Sequence, residues 1–518
     1  MIFADGGFTA ADLNPALLLG SLTLLAAAAA VRLSVRSGMP SLVIYLVIGM
    51  ILGEAGLGIR FDDERLAEAL GYAALALILI EGGLTTKWSG IRRSMGPALS
   101  LATVGIVISV LVVAGAAHFI LGVPLEMALI IGAVLASTDA AAVFSVLRTV
   151  SLPRRLSGLL EAESGFNDAP VVILVVAFAA DAASIDESLS VLALFLNATV
   201  QLVGGAVIGL AIGWVGVRVL RRIASTSSGL FAIAIFAVAI LAYASASLTQ
   251  TSGFIACYLA ALVMGNSHLP HQQSVHAFGT ALGWLAQIGL FVMLGLLARP
   301  ANLVDQIIPA AIIGLVLLLV ARPLSVVVSL LPFGMSWREQ AFLSWAGLRG
   351  AVPVVLATVP ITYGLDAAWI FDLVFVLVLV FTLLQAPTLP WVARRLKLTQ
   401  AYQSVSLEVE LVPLEELDAD LLQVSVGEGS RIAGVEVGEL RLPPGANVTL
   451  IIRDKAGFVP SPATSILAGD ELLIVTTTRA RDAAERRVRA VSEGGRLAGW
   501  APRLRQPRSG RPPDPKQV

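Results

Sequence analysis

The amino-acid sequence predicts an all-α polytopic membrane protein of about thirteen transmembrane helices, followed by a small α+β cytoplasmic domain. Of the 518 residues, 57% are hydrophobic and 14% are charged, and the mean hydropathy is +0.85. Such a balance is typical of a chain whose solvent is the lipid bilayer. Long apolar runs fill residues 1–397, whereas charged residues are spread throughout the remainder. We therefore predict a membrane domain at 1–397, a cytoplasmic domain at 398–492 and a disordered tail at 493–518.

The composition argues against several classes of function. The formal net charge is −1, so the charge balance gives no indication of nucleic-acid binding. The single cysteine, Cys257, cannot form an internal disulfide, and the sequence contains no nucleotide-binding P-loop. His268 and His271 are spaced like a weak metal pair, but their loop lacks the other ligands that would complete a site. We expect no enzymatic activity, no cofactor and no resident metal ion.

The apolar runs define the predicted membrane segments. Thirteen runs are long enough to cross about 30 Å of hydrocarbon. They begin near Leu13, Ser41, Ala69, Pro97, Met127, Ser157, Leu189, Gly229, Gly253, Phe278, Ile307, Glu339 and Ala368. In an alternating topology most basic residues, such as Arg92 and Arg155, fall on one side, and the opposite loops hold only Arg60, Arg65 and Arg299. The positive-inside rule then predicts an external N-terminus and a cytoplasmic C-terminus.

An odd number of helices with opposed termini fits two inverted six-helix repeats, segments 1–6 and 8–13, joined by the seventh segment. The fifth segment of the first half contains Ser137-Thr138-Asp139. The fifth segment of the second half contains Gly347-Leu348-Arg349-Gly350, followed by Pro353. Such interruptions free backbone amides and carbonyls, which a membrane protein tolerates only where they line an internal cavity. The pattern therefore predicts two broken helices around a central site.

Ionisable residues inside the predicted membrane segments are the main guide to function. The informative ones are Glu81, Asp139, Glu163, Asp168 and Arg349. Because a charged side chain in the bilayer costs several kcal/mol, each of them needs a partner or a task. A buried Arg349 would be too costly unpaired, and we predict that it forms a structural ion pair with Glu163. Glu81, in the third segment, is either a ligand of the central site or an interfacial charge.

The sixth segment carries the strongest signal for ion binding. Its sequence places Ser164 and Asp168 four residues apart, on one face of a helix. Hard monovalent cations prefer oxygen ligands, which this segment and Thr138-Asp139 can supply. The same carboxylate can instead take a proton. A site that holds either ion, but not both, forces exchange when only the loaded states can cross the membrane.

These motifs resemble the sodium/proton antiporter type of the cation:proton antiporter superfamily, in its branch with an Asn-Asp pair. The resemblance rests on the two interrupted segments described above and on Glu163-Ser164 with Asn167-Asp168. It implies a homodimer in the bacterial inner membrane, in which a core domain with crossing broken helices moves against a dimerisation domain. Members with the Asn-Asp pair resemble electroneutral exchangers. Gly165 stands where relatives often have a larger residue, which leaves the local packing open.

The resemblance also implies roles for individual residues. Asp168 is the exchanging carboxylate, and Thr138, Asp139 and Ser164 surround the cation. Asn167 orients the site, and Glu163 pairs with Arg349.

The sequence after Lys397 predicts a small folded domain. Apolar and polar residues alternate over 405–411, which is typical of a half-buried strand. Further strands are predicted at 447–453 and 471–476, and a helix at 480–491. The segment resembles the TrkA-C type, the C-terminal lobe of potassium-conductance regulators. The residues that carry this resemblance are Gly429-Ser430-Arg431-Ile432-Ala433-Gly434, Ile451-Ile452-Arg453-Asp454 and Gly469-Asp470-Glu471-Leu472.

The resemblance of the tail narrows the function but leaves alternatives. No Gly-x-Gly-x-x-Gly follows a strand here, so NAD sensing is not indicated. The lobe implies either a module that binds a small ligand, such as a cyclic dinucleotide, at a dimer interface, or a structural dimerisation module. An antiporter joined to this lobe is similar to bacterial potassium/proton antiporters, which favours K⁺ over Na⁺. A ligand-gated cation channel is the alternative of another class, but the chain lacks a Thr-Val-Gly-Tyr-Gly-like filter.

Overall fold

A computed structural model describes residues 10–37, 40–54, 56–59, 61, 63–139, 142–143, 152–184, 191–223, 227–267, 269–398, 410–414, 419–427, 430–453, 456–477 and 480–497. The chain divides into two compact units, Met1–Thr399 and Gln400–Val518. In its described part the first unit is built from helices, and the second combines a β-sheet with a helix. His268 and the predicted tail beyond residue 497 lie outside the described residues.

The first unit confirms the predicted polytopic helical architecture. Among the described residues, eight helices are long and apolar enough to cross a membrane, and five shorter apolar helices accompany them. The helices are α1 (Ala10–Ser37), α2 (Ser41–Leu52), α3 (Glu64–Thr85), α4 (Met95–Leu121), α5 (Leu125–Val134), α6 (Arg154–Ala183), α7 (Val191–Arg222), α8 (Ser228–Leu248), α9 (Gly253–Gly265), α10 (Gln272–Leu297), α11 (Ile307–Phe333), α12 (in two halves, Trp337–Trp345 and Ala351–Leu356) and α13 (Ala368–Arg395). Three short helices connect or extend them, at Trp88–Ile91, Pro300–Leu303 and Val359–Thr362. Each predicted apolar run contains one of the thirteen helices.

Local sequence explains where several helices start and stop. Asp63 caps α3 by accepting a hydrogen bond from the Leu66 amide over 2.9 Å. Ser336 and Glu339 form a reciprocal capping box at the start of α12. Gly122 ends α4 in the left-handed conformation, with φ at 70°. Short polar motifs therefore set boundaries that hydrophobicity alone leaves uncertain.

The helices of the first unit pack as two groups, and each group contains helices from both repeats. The first group contains α2, α3 and α7 to α10, and the second contains α4 to α6 with α11 to α13. Within the second group α4 packs on α5 and α6, and α11 packs on α4 and α13. Each group thus combines helices from both halves of the chain, as interlocked inverted repeats require.

α4 and α11 occupy corresponding places in the two repeats, and each contains one π-helical turn. These turns are Leu101–Gly105 in α4 and Leu317–Ala321 in α11. Each π turn packs against the partner helix, and the Ser100 hydroxyl donates to the Ser329 carbonyl over 2.8 Å. Single π turns inside helices are frequent at functional sites. The matched pair supports the predicted inverted repeats.

The second unit is a five-stranded antiparallel sheet with one helix. The strands are β1 (Glu410–Leu414), β2 (Ala419–Ser425), β3 (Ala446–Arg453), β4 (Ala456–Phe458) and β5 (Glu471–Thr477), and the helix is α14 (Arg481–Gly494). Their order in the sheet is β1-β2-β5-β3-β4. Leu422, Ile474 and Val488 are buried in a core shared by the sheet and α14. The predictions of β3, β5 and α14 are confirmed within a few residues. Most of the predicted strand at 405–411 lies outside the described residues, and β2 was not predicted.

Candidate functional site

The interruptions of α5 and α12 lie against each other. α5 ends at Val134, and the backbone is not helical by Asp139. α12 is unwound over residues 347–350, between its two halves. The Asp139 amide donates a hydrogen bond to the Leu348 carbonyl over 2.9 Å, so the two unwound segments cross in direct contact. The sequence motifs therefore mark the two breaks correctly.

Arg349 lies inside this crossing and is only 3% exposed. Its Nη1 donates to the carbonyl of Ala136 over 2.9 Å and also to the carbonyl of Ser137. Both carbonyls belong to the unwound end of α5, where intrahelical amides no longer reach them. The guanidinium therefore satisfies backbone acceptors that the helix break has freed.

Glu163 pairs with a different arginine from the one predicted. Arg322 of α11 donates from Nη1 and Nη2 to the two Glu163 carboxylate oxygens, over 2.5 and 3.0 Å, and both side chains are buried. The predicted pairing of Glu163 with Arg349 is therefore wrong. The reason is that the planar fork of Arg322 occupies both carboxylate oxygens, while Arg349 serves the free carbonyls. An arginine within the apolar run of α11 was a visible signal for this residue, and sequence analysis missed it.

Asp168 is held by the motif of α5. The Ser137 hydroxyl donates to Asp168 Oδ1 over 2.7 Å. The neighbouring Asn167 donates from Nδ2 to Thr138 Oγ1 over 2.6 Å, and Thr138 Oγ1 lies 3.4 Å from a Glu163 oxygen. Asp168, Asn167 and Glu163 are all buried. Two sets of hydrogen bonds, Ser137 with Asp168 and Asn167 with Thr138 and Glu163, thus connect the polar motif of α5 with that of α6.

Asp139 lies beside the break of α12. Its Oδ1 accepts a hydrogen bond from the Ala142 amide over 3.1 Å. Gly350 faces the carboxylate so closely that an added Cβ would overlap it. A glycine at this point of α12 therefore allows the Asp139 carboxylate to reach the site.

A cavity of about 450 Å³ lies between the two groups of helices. Its walls come from α3, α9 and α10 on one side and from α5, α6 and α12 on the other. Among the predicted site residues, five line it: Glu81, Thr138, Asp139, Ser164 and Asp168. The other three, Asn167, Glu163 and Arg349, lie behind the wall and support it.

Two glycines shape this cavity. Gly283 of α10 leaves room for Glu81, whose Cγ would lie 3.1 Å from an added Cβ. Glu81 therefore lies on the cavity wall, and its role as a ligand stays a prediction. Gly165 of α6 makes room for Tyr258 of α9, because an added Cβ would lie 2.6 Å from the tyrosine hydroxyl. The small residue at 165 is therefore explained by the aromatic ring packed against it.

Comparison with known proteins identifies the two parts of the chain. Residues 21–395 match the transmembrane domain of sodium/hydrogen exchangers. The chain belongs to the sodium/hydrogen exchanger family. Residues 421–489 of this exchanger match the TrkA-C domain, so the resemblance inferred for the tail is confirmed.

Relatives and a solved structure support this assignment. The exchanger is 34% identical over 478 residues to the K(+)/H(+) antiporter NhaP2 of Shewanella baltica (strain OS223), which covers 91% of this chain and 82% of the relative. It is 39% identical over 393 residues to the K(+)/H(+) antiporter NhaP of Alkalimonas amylolytica, covering 74% of this chain and 67% of the relative. The sodium proton antiporter MjNhaP1 from Methanocaldococcus jannaschii has the same fold, with a TM-score of 0.66 at 22% identity, over 74% of this chain and 99% of that one.

Proposed function

We propose that this exchanger is a secondary antiporter that exchanges K⁺ for protons across the bacterial cell membrane. The observation that carries the proposal is the charge around Asp168. Its hydrogen-bond partner is the neutral Ser137, and the two buried arginines, Arg322 and Arg349, are engaged elsewhere. Within the described residues, no basic side chain neutralises Asp168. The carboxylate therefore remains available to a cation or a proton.

The surrounding oxygens suit a dehydrated monovalent cation. Thr138, Asp139, Ser164 and Glu81 line the same cavity as Asp168, and we assign them as cation ligands. Asn167 orients the site through its bond to Thr138. Carboxylate and hydroxyl oxygens are the ligands that alkali cations accept. A proton on Asp168 removes the negative charge that holds the cation, so the two ions compete.

Competition becomes exchange when the helix groups move. The cavity separates α3, α9 and α10 from α5, α6 and α12, so a displacement of one group against the other changes the side from which Asp168 is reached. When a cation or a proton is bound, the negative charge of Asp168 is neutralised, and the helix group that carries it can move. Without either, Asp168 is an uncompensated charge within the membrane, which costs several kcal/mol. One carboxylate serving both ions makes the exchange one-for-one and electroneutral.

Proton movement in everted membrane vesicles tests this function. Respiration acidifies the vesicle interior and thereby quenches the pH dye acridine orange. Addition of KCl to vesicles with the wild-type protein should release protons from the interior and restore the fluorescence. Asp168→Asn, which cannot take up a proton, should give no response at any KCl concentration. A response in the variant equal to that of the wild type, or none in either, contradicts the proposal.

The choice of K⁺ over Na⁺ is supported by the names of the two bacterial relatives and by the TrkA-C domain. Na⁺/H⁺ exchange by the same site is the second candidate, since Na⁺ takes the same oxygen ligands. Titrating KCl against NaCl in the vesicle assay distinguishes them by the concentration for half-maximal response. Cation flux without proton movement would instead indicate a channel.

The assembly and the tail complete the proposal. The chain is a homodimer with an external N-terminus and a cytoplasmic TrkA-C unit, which binds a small ligand such as a cyclic dinucleotide. Mass photometry of the detergent-purified protein tests the dimer, and cysteine labelling at both termini tests the topology. Calorimetric titration with cyclic dinucleotides tests the ligand class.

A further inference from the structure

A polar stripe runs along one face of α6 toward Asp168. Ser157, Glu161, Ser164 and Asp168 all line the cavity, and their spacing of four, three and four residues keeps them on one side of the helix. Glu161 lies two turns before Asp168, about 10 Å along the helix axis. The exchange site described above uses Ser164 and Asp168. It leaves a membrane-embedded carboxylate at 161 without a task.

The surroundings of Glu161 are rich in oxygen. The Thr86 hydroxyl, at the end of α3, donates to Glu161 Oε1 over 2.6 Å. The Tyr258 side chain is 2% exposed and lines the same cavity. Its hydroxyl faces Thr86 and Glu161 but makes no hydrogen bond of 3.5 Å or shorter among the described residues. That hydroxyl lies beside Gly165, one turn from Glu161. A buried phenol hydroxyl without a hydrogen bond is costly, and its oxygen lone pair is free to coordinate a cation.

The charged side chains that line the described cavity are all of one sign. Every charged residue that lines the described cavity is acidic: Glu81, Asp139, Glu161 and Asp168. Glu81 faces Glu161 closely enough for the two carboxylates to interact electrostatically. A cleft lined by one sign of charge raises the local concentration of the opposite ion.

We propose that Glu161, with the hydroxyl oxygens of Thr86 and Tyr258, forms an outer station for a monovalent cation on its path to Asp168. The inference rests on the proposed antiport function and adds a second binding position to it. Glu161 belongs to the helix group of α6, whereas Thr86 and Tyr258 belong to the group of α3 and α9. The station therefore exists only in this arrangement of the two groups, and their displacement dismantles it.

Transport kinetics in proteoliposomes provide the first test. Replacing the charge in Glu161→Gln should raise the apparent KM for K⁺ about fivefold, with a smaller change in maximal rate, because one attractive charge near the path is lost. Glu161→Asp, which keeps the charge, should recover most of the affinity. Glu126→Gln, at an exposed acid outside the cavity, is the matched control and should keep the wild-type KM.

The outcomes separate this inference from the exchange mechanism itself. An unchanged KM in Glu161→Gln overturns the station, and so does a fall in maximal rate at unchanged KM, which would indicate that Glu161 only holds helices together. Asp168→Asn, measured beside it, reports on the proposed function. Exchange by that variant would contradict antiport through Asp168, whatever the result at Glu161.

Direct binding of Tl⁺, a probe for K⁺, provides the second test. Crystals of full-length Asp168→Asn protein soaked in thallium acetate should show an anomalous peak between Glu161 and Tyr258. The peak should disappear in the double variant Asp168→Asn/Glu161→Gln. The absence of a peak at Glu161 in the single variant, or its persistence in the double variant, overturns the proposal.

Discussion

The broken segments of α5 and α12 correspond to each other in the two repeats, yet they carry opposite chemistry. The α5 break presents oxygen atoms through Ser137, Thr138 and Asp139, which bind Asp168 or line the cavity. The α12 break contributes a glycine at the Asp139 carboxylate and an arginine whose Nη1 contacts only α5 carbonyls within the described structure. A symmetric backbone thus supports an asymmetric distribution of charge. The α5 break supplies side chains to the ion site, and the α12 break supplies the arginine that hydrogen-bonds the free carbonyls of the α5 break.

A second comparison explains why Asp168 can exchange ions. Glu163 and Asp168 are one helical turn and a residue apart on α6, but only Glu163 has a guanidinium partner in the described structure. The carboxylate paired with Arg322 connects α6 with α11. A carboxylate that accepts one neutral hydroxyl can be discharged by either ion.

The largest effect should follow from breaking the buried pair. Arg322→Gln leaves Glu163 as an uncompensated buried charge and should lower the free energy of unfolding by about 3–5 kcal/mol. Unfolding by SDS in mixed micelles measures this. Adding Glu163→Gln to Arg322→Gln should recover most of the loss. Adding Glu163→Gln to Arg349→Gln should not, and a recovery there would restore the pairing first predicted from the sequence.

A smaller loss should follow from removing the guanidinium at the crossing. Arg349→Gln should destabilise the protein by about 2–3 kcal/mol, because the Ala136 and Ser137 carbonyls lose their donor inside the membrane unit. The same SDS titration measures the change. A loss as large as that of Arg322→Gln would mean that Arg349 is also part of a buried ion pair.

The glycine at the α12 break should matter more for exchange than for stability. In Gly350→Ala the new methyl group overlaps the Asp139 carboxylate and must displace it. We expect a cost of about 1–2 kcal/mol in stability. A shift of about 1 Å at the site should reduce the exchange rate by at least about tenfold. Gly289→Ala, at a position of α10 with no atom within 4 Å of the added Cβ, should exchange normally. Equal rates in the two variants would contradict the assigned role of Gly350.

The smallest effect concerns an arginine–carboxylate pair outside the membrane. Burial raises the pKa of Asp470, but hydrogen bonds from Arg453 and from the Leu467 amide outweigh it and hold the pKa below its ordinary value. The pair therefore stabilises the TrkA-C unit fully above the unfolded pKa of about 3.9, and its contribution is lost as the pH falls through the lowered folded value.

Hydrogen exchange of the full-length protein, corrected for intrinsic rates, measures this dependence. Protection of β3 and β5 should fall as the pH decreases from 5 toward 3. Asp470→Asn should show weaker protection at pH 7, and the part of the pH dependence due to this carboxyl should be missing. An identical pH profile in both proteins would show that Asp470 does not stabilise the unit.

The sequence was sufficient for features that depend on hydrophobic length and on backbone chemistry. Each of the thirteen apolar runs contains a helix in the described part of the chain, and the polar motif at 137–139 and the Gly- and Pro-containing motif at 347–353 mark the two breaks. It was insufficient where one donor had several possible acceptors. Glu163 was a plausible carboxylate partner for Arg349. The backbone carbonyls freed at the end of α5 compete for the same guanidinium, and the sequence does not show which backbone groups a helix break will free. Arg322 stands out as a charge in the apolar run of α11, but the sequence does not show which carboxylate lies opposite it in the fold.

The same limit applies to the cavity. Helical spacing predicts that Asp168 and Ser164 share a face, and Glu161 lies on that face too, but spacing alone does not give it a role. Its significance depends on Thr86 and Tyr258, which are far away in sequence and come together only in the packed fold.

The volume of the cavity has a consequence for hydration. At the roughly 30 Å³ that a molecule occupies in liquid water, about 450 Å³ corresponds to on the order of fifteen water molecules. A cation can therefore keep part of its hydration shell along the cavity, and the oxygens of α5 and α6 at Asp168 replace the last waters. The choice between K⁺ and Na⁺ then depends on two quantities at the site beside the crossing of the two broken helices. These are the cost of removing the last waters from each ion and the strength with which the protein oxygens coordinate it.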